Sequence, residues 1–363
     1  MGLGMGIDSC RKAGFSPLSL ASCRLWLPAW AGVEYAAPAE LEADWDMEAA
    51  GVGSWLFGRA TGSKVSAAPR SGQALRITST VVGGAHYAYQ VNLVAGKEYR
   101  VTGYARSDGT MIPQVFSSIA RWTGTNSTDW QPFDVTFTPS NTFVQLLYDE
   151  AAPVGTEYCD FDNVSIKCTD ANLVSAWRDQ TSYGRDVVQA TENNKMSWAA
   201  TGGPNGRPKL SADGISEYLR GTWTQAQPET VFMVLKPSVT SKSAFETCAD
   251  GATASSSRIY LPAADAIALY AGGTPIAKAC DADQWHYVTA VIDGASSSIS
   301  VDGGSPSTGN VGAAAANGLT LGARGSITLF CDSEFAEIIR FTGHLSSSEI
   351  SDIENYIKGW SQL

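Results

Sequence analysis

Two groups of side chains in this chain could do chemistry, and they point to different kinds. The first is acidic: Asp332, Glu334 and Glu337 crowd into Asp332-Ser333-Glu334-Phe335-Ala336-Glu337. Cleaving a glycosidic bond needs two facing carboxyl groups, about 5–5.5 Å apart for retention or about 6.5–9.5 Å for inversion. Side chains alternate along a strand, so Glu334 and Glu337, three positions apart, face opposite ways unless a bulge intervenes. The spacing argues for a structural strand. A hydrolytic triad is no better supplied, because His86, His286 and His344 lie near no Gly-x-Ser-x-Gly elbow. His286 follows Trp285 in an apolar run and reads as a sheet residue. Phosphate loops and dinucleotide fingerprints are absent from the sequence. The expectation is a protein that is not an enzyme.

The second group is aromatic. Flat rings stack on the faces of sugar rings at little entropic cost, and a few polar groups then fix orientation. Trp45, Trp55, Tyr87, Tyr89, Trp122, Trp130 and Tyr148 supply the rings, with Arg76 and Gln90 nearby. Tyr87 and Tyr89 share one face of a strand; His86, Ala88 and Gln90 share the other, and one face must be core. Trp130, which leads into Phe133 and Phe137, is expected in the core. The ligand contacts expected from sequence are Trp55, Arg76, Gln90 and Trp122.

These residues must be positioned by sheets. At about 150 residues per domain, 363 residues suggest two domains. With 25 basic against 36 acidic side chains, the formal charge is −11. Nucleic acid is therefore not an expected partner, since phosphate binding needs clustered Lys and Arg. Only 17% of residues are charged and 36 are glycine, which leaves a β-rich chain. No segment carries 18 consecutive apolar residues, so membrane insertion is not expected. The seven cysteines form no C-x-x-C pair, and most are expected to be free and buried. Cys159 and Cys168, nine residues apart on one strand, are expected on opposite faces and unbonded.

Residues 1–14 are Gly-rich and read as an arm with no export signal. Short apolar runs then alternate with turn residues, among them Gln73–Thr78, Tyr99–Tyr104, Phe133–Phe137, Thr230–Leu235, His286–Ile292, Ser298–Val301 and Leu319–Leu321. One helix closes the chain. Ser346-Ser347-Ser348-Glu349 is a capping box, Leu345 and Ile350 a staple, and Ile350, Ile353, Ile357 and Trp360 a stripe at helical spacing.

The segment Trp177-Arg178-Asp179-Gln180-Thr181-Ser182-Tyr183-Gly184-Arg185-Asp186 resembles the opening of the laminin-G-like group of concanavalin-A-type jelly rolls. So do Asn205-Gly206-Arg207-Pro208, Asp213-Gly214, Glu217-Tyr218-Leu219, Trp285-His286-Tyr287-Val288-Thr289, Asp302-Gly303, Leu319-Thr320-Leu321-Gly322 and Phe335-Ala336-Glu337-Ile338-Ile339. That group's first strand matches Ser16-Pro17-Leu18 and Leu25-Trp26-Leu27-Pro28-Ala29, yet Trp177 comes far downstream. The block between reads as a second domain, inserted between the first two host strands, with Pro28 suiting the point where the chain leaves the sheet. Its Trp45-Asp46-Met47-Glu48, Gly53-Ser54-Trp55, Gln90 to Tyr99, Trp130 to Thr138 and Asp160-Phe161-Asp162-Asn163-Val164-Ser165-Ile166 resemble carbohydrate-binding modules of families 4 and 9.

The resemblances imply an all-β fold of two jelly-roll β-sandwiches, one inserted into the other, with a C-terminal α-helix. The implied parts are an arm at 1–14, a host at 15–37 plus 169–363 and an insert at 38–168. The module resemblance implies glycan binding, and it places Glu48 and Asp162 where such modules hold a structural Ca2+. The functional expectation is a non-catalytic bacteriophage virion surface protein of decoration or fibre type. It would be multicopy, with other capsid or tail proteins and cell-surface glycans as partners. A secreted, extracellular glycoside hydrolase and a purely architectural protein are the alternatives.

Overall fold

The apolar runs between turn residues fold as antiparallel strands, including Gln73–Ser79, Tyr99–Ser107, Gln131–Phe137, Glu229–Pro237, His286–Ile292, Ser297–Val301 and Ala316–Leu321. The structure, a computed structural model, describes residues 15–363 other than 37–39, 71, 81–84, 91–92, 150–155, 170–171, 239–242, 247–256 and 264. The expected arm at 1–14, with Cys10, and also Cys248 lie outside the described residues. The chain is all-β: antiparallel sandwiches of jelly-roll type, with a C-terminal α-helix over Ser347–Ser361. Among the described residues it divides into two compact units, one ending at Ala36 and resuming at Asn172, the other Ala37–Ala171.

In the host unit, Glu229–Pro237 lies between His286–Ile292 and Asp332–Thr342, and Asp332–Thr342 also pairs with the first strand, Cys23–Pro28. A second layer runs from Val33–Ala36 through Leu173–Trp177 and Leu219–Gln225 to Ala316–Leu321. Strand Ser197–Ala199 pairs with Leu173 on one side and Lys209–Asp213 on the other, which joins the layers. The run Thr230-Val231-Phe232-Met233-Val234-Leu235 is buried on both faces. Val231, Met233 and Leu235 point between the layers, while Phe232 and Val234 point to the helix. A strand covered on both sides needs continuous apolar sequence, and this one has it.

The motif around Trp177 has a structural cause. The Asp179 carboxylate accepts the amides of Trp26 (3.0 Å), Thr181 (2.9 Å) and Arg185 (3.0 Å), and the Thr181 hydroxyl (2.6 Å). Asp186 accepts the Asp179 amide and pairs with Arg178, while the buried Trp177 donates its indole N–H to the Pro28 carbonyl. One aspartate thus knots a loop to the first strand. The chain does not leave the host at Pro28, because Val33–Ala36 follows as a further strand and pairs with Leu173–Trp177. His286 is a sheet residue whose Nδ1 faces Asp302 (2.7 Å) and whose Nε2 faces the Asp281 carbonyl (2.9 Å). Both ring nitrogens meet acceptors, and Asp302 first among its neighbours raises the imidazole to about 10.

The insert is two five-stranded sheets. The first runs Gln131–Phe137, Tyr99–Ser107, Tyr158–Cys168, Gln73–Ser79, Ala60–Ser66. The second runs Leu56–Gly58, His86–Gln90, Val144–Asp149, Ile112–Ser117, Ile119–Thr123. Register slips between Asp162 and Ser165, with Asn163 left-handed at φ 51°. That bulge corrects the expectation for Cys159 and Cys168: an extra residue restores the phase, so both are fully buried on the inner side. None of the five described cysteines is in a disulfide.

The helix begins as its sequence dictates. Ser346 accepts the Glu349 amide while the Glu349 carboxylate accepts the Ser346 amide, and Ile353, Ile357 and Trp360 are buried against Phe232, Ile339 and Phe341. Ile353→Ala should cost roughly 2–4 kcal/mol in denaturant unfolding, as a fully enclosed side chain is truncated. Ser346→Ala should cost about 1 kcal/mol through the lost cap. Ala36 lies opposite Leu173 in the ladder, so replacing 37–171 by a short Gly-containing turn should leave a cooperatively folding host. Circular dichroism and a single unfolding transition check this, and an unfolded product would show that the host needs its insert.

Candidate functional site

The clearest concentration of ligand-type side chains is the outer face of the second insert sheet. On strand His86–Gln90 the buried set is His86, Ala88 and Gln90, which leaves Tyr87 and Tyr89 outward. The ladders continue that face into two rows across the sheet. One reads Leu56, Tyr89, Gln145, Phe116, Ala120; the other reads Gly58, Tyr87, Leu147, Gln114, Thr123. At about 4.8 Å between strands, each row spans roughly 19 Å. The Tyr87 and Tyr89 rings meet edge to face at 5.7 Å. Glycine at 58 is a requirement, since a Cβ there would stand 2.2 Å from the Tyr87 ring. Its absence lets that ring lie down across the neighbouring strand.

The rows contain aromatic, aliphatic, amide and hydroxyl groups and no charged residue. Chemically this is a surface for stacking and neutral hydrogen bonding.

The four contacts expected from sequence are not brought together. Trp55 is 3% exposed and offers no face to a ligand. Gln90 is buried on the inward side, where its amide donates to Glu42 and to the Ser54 hydroxyl (3.0 Å). Trp122 lies opposite Val115 on the edge strand and rests on Phe133 at 5.3 Å, so its ring is committed to packing. Arg76 belongs to the other sheet, where it grips Asp160 in bidentate fashion (2.7 and 2.9 Å) and lies 3.4 Å from the Tyr158 ring centre. Arg106 shares that buried Asp160 at 2.9 Å and lies 4.6 Å over Trp130. Trp130 is therefore half-buried beneath an arginine rather than in the core. Phe116, Gln114 and Gln145 were missed; their signal is alternation with the buried Val115, Val144 and Leu146.

Glu48 and Asp162 do not fit a calcium cage. Calcium takes six to eight oxygens that are free to turn toward it. The Asp162 carboxylate is 1% exposed and paired with Arg70 Nε at 2.7 Å, and exposed Glu48 accepts the Gln73 amide at 2.9 Å. Nearby, Asp44 is paired with the Lys64 ammonium. Side-chain cations supply the positive charge at both buried aspartates.

The acidic strand departs from the regular spacing. Register slips between Val234 and Leu235, so that Val234 pairs with Glu337 and Leu235 with Phe335. Ala336 is the extra residue, and Glu334 and Glu337 come to share a face. Their surroundings nevertheless differ. Glu334 is bound by Lys209, with Lys236 at 4.0 Å. Glu337 is 1% exposed and sealed under the helix, accepting hydrogen bonds from Trp26 Nε1 (2.6 Å), the Tyr356 hydroxyl (2.8 Å) and Trp360 Nε1 (3.1 Å). Burial pushes its carboxyl up to about 7, against the pull of those donors and of the Arg207 charge.

No protein-family model matches the chain, and no curated protein sequence is similar to it. Among solved structures, it is similar to domain 4 of AbnA, a GH43 extracellular arabinanase from Geobacillus stearothermophilus, in complex with arabinotriose. Identity is 15%, coverage 51% of this chain and 99% of that one, and the TM-score 0.37. A GH54 α-L-arabinofuranosidase matches at 13% identity over 74% of this chain and 63% of its own, TM-score 0.42. The tandem CBM22-1–CBM22-2 domains of Paenibacillus barcinonensis Xyn10C match at 10% identity over 88% and 96%, TM-score 0.30. Similarities of this size say nothing of what this chain binds.

The enclosed Glu337 makes a measurable prediction. Its folded carboxyl titrates near 7 against about 4.5 when unfolded, so between those values the folded chain holds a proton that the unfolded chain has released. Its contribution to stability is therefore greatest below about pH 4.5 and is lost as pH rises through about 7. Glu337→Gln should flatten this part of the profile when unfolding is followed from pH 4 to 8. Parallel profiles for the two proteins would show a carboxylate ionised throughout.

Proposed function

We propose that the inserted unit binds a neutral glycan chain across its second sheet, and that the protein binds sugars without cutting them. The observation that carries this is the pair of uncharged cross-strand rows with Tyr87, Tyr89 and Phe116 facing outward between amides. Tyrosine rings take the apolar faces of successive sugars, and Gln114 and Gln145 exchange hydrogen bonds with their hydroxyls. Rows without charge suit a neutral polymer, because no group in them is left to seek a counter-ion. Open sheet faces of this kind hold sugars weakly, so effective adhesion comes from many copies displayed together, as on a virion surface or another extracellular array.

Binding without cleavage is supported by the acidic strand. The bulge aligns Glu334 with Glu337, but Glu337 sits under Trp26, Tyr356 and Trp360. A glycosidic oxygen would have to displace the helix to meet that carboxyl.

Calorimetry of the full chain against neutral β- and α-linked oligosaccharides should show binding in at least one series. The Tyr87→Ala and Tyr89→Ala variants should each lose about tenfold in affinity, or about 1.4 kcal/mol, while Trp55→Phe should change little. Reducing ends should not accumulate on any substrate bound. Undiminished binding by the Tyr87→Ala, Tyr89→Ala double variant would move the site off this face. Sugar release abolished by Glu334→Gln or Glu337→Gln would establish a hydrolase.

A further inference from the structure

Most of the guanidinium groups described above meet a carboxylate. Among the described residues, Arg24 and Arg185 of the host unit bond to neutral oxygens instead. Arg24 donates to the carbonyls of Ala21 (2.7 Å) and Cys23 (3.1 Å), and Arg185 donates to the side-chain amide oxygen of Gln225. Both lie against one phenol ring: the guanidinium carbons stand 4.5 and 5.6 Å from the centre of Tyr183, which is 49% exposed. Arg185 also lies 5.5 Å from the Trp223 ring, and Arg340 approaches that same indole at 5.9 Å.

Arg340 is fully enclosed and paired with buried Glu229, yet its Nη1 and the Trp223 indole N–H have no hydrogen-bond partner. Asp179 is the other acid near Arg185, and its oxygens are already taken by amides and the Thr181 hydroxyl. Of the two carboxylates that act on Arg185, Glu229 is therefore held by Arg340 and Asp179 by amides and a hydroxyl. Burial first, and then the Arg340 charge, push Arg185 below the usual range of its guanidinium, and Arg24 adds to this while Asp179 and Glu229 oppose it. Arg24 and Arg185 thus stand beside an exposed aromatic ring with neutral hydrogen-bond partners.

We propose that Tyr183, Arg24 and Arg185 form a binding site for an acidic sugar. The carboxylate of the sugar meets the planar Arg185 guanidinium, whose parallel N–H groups match a carboxylate, and the sugar ring packs against the part of Tyr183 that stays exposed beside the two guanidiniums. Arg24 supplies a second positive charge from beside the same ring. This site is separate in residues and in ligand chemistry from the uncharged rows of the insert, and it stands whether or not those rows bind glycan.

Calorimetry of the full chain with oligogalacturonate or oligoglucuronate, neutral oligosaccharides of equal length, and inorganic phosphate tests it. The acidic oligomers should bind, and binding should weaken as salt is raised. Arg185→Gln and Tyr183→Ala should each lower affinity at least tenfold, and Tyr87→Ala should leave it unchanged. Tyr183 is exposed, so its replacement keeps a readable protein even if Arg185→Gln fails to fold; circular dichroism checks both. No binding of acidic oligomers at millimolar concentration would overturn the proposal. So would binding of neutral oligomers that Tyr183→Ala weakens as much as it weakens acidic ones, phosphate binding as tightly as the acidic sugars, or unchanged acidic-oligomer binding by Tyr183→Ala.

Discussion

Antiparallel pairing of Val33–Ala36 with Leu173–Trp177 is the constraint on which the architecture depends. These strands are far apart in sequence, yet their ladder sets the two ends of the interrupting segment on neighbouring strands. A chain that leaves and returns at one ladder can carry a whole domain between, because the host sees only a long loop. The insert closes its own ends in the same manner. Glu40 bridges to Lys167, and its carboxylate accepts from the Ser165 hydroxyl and the Ile166 amide. Each unit thus has local means of holding its termini together.

Buried charge is handled in one consistent way across the chain. Asp160 is shared by Arg76 and Arg106, Asp162 is paired with Arg70, and Glu229 is paired with Arg340. A desolvated charge is costly unless opposed, and removing one partner strands the other. Glu42 and Glu337 differ in kind: Glu42 accepts from the Asp44 amide, the Ser54 hydroxyl and the Gln90 side chain, and the partners of Glu337 are two indole N–H groups and a phenol rather than a cation. Neutral donors compensate only part of the desolvation, which is why the Glu337 carboxyl rises. The same three donors come from the first strand and the terminal helix, so one carboxyl ties both ends of the chain to the strand Asp332–Thr342.

The two insert sheets divide the available chemistry. On the first, arginines lie over Tyr104, Tyr158 and Trp130 and are locked by aspartates. Those aromatic faces are covered by the protein's own cations. On the second, no arginine among the described residues lies over Tyr87 or Tyr89, and only amides and aliphatic groups stand beside them in the rows. Composition alone treats these aromatics as equivalent; their neighbours across the ladder make one set structural and leave the other available.

Sequence periodicity was sufficient for the elements whose causes are local. The capping box at Ser346–Glu349, the stripe of Ile353, Ile357 and Trp360, and the apolar run at Thr230–Leu235 each fold as their spacing requires. The alternation of His86-Tyr87-Ala88-Tyr89-Gln90 fixed which residues share a face, but not which face meets the core. That choice belonged to tertiary packing, which took His86, Ala88 and Gln90 inward, buried Trp55 and set the half-buried Trp122 against Phe133. Bulges escaped the sequence for the same reason: a slip at Asn163 or Ala336 is set by the partner strand, and one added residue turns Cys168 or Glu337 to the opposite side. Spacing along the chain therefore determined the strands and the helix, while register across the sheets decided which side chains were left facing solvent.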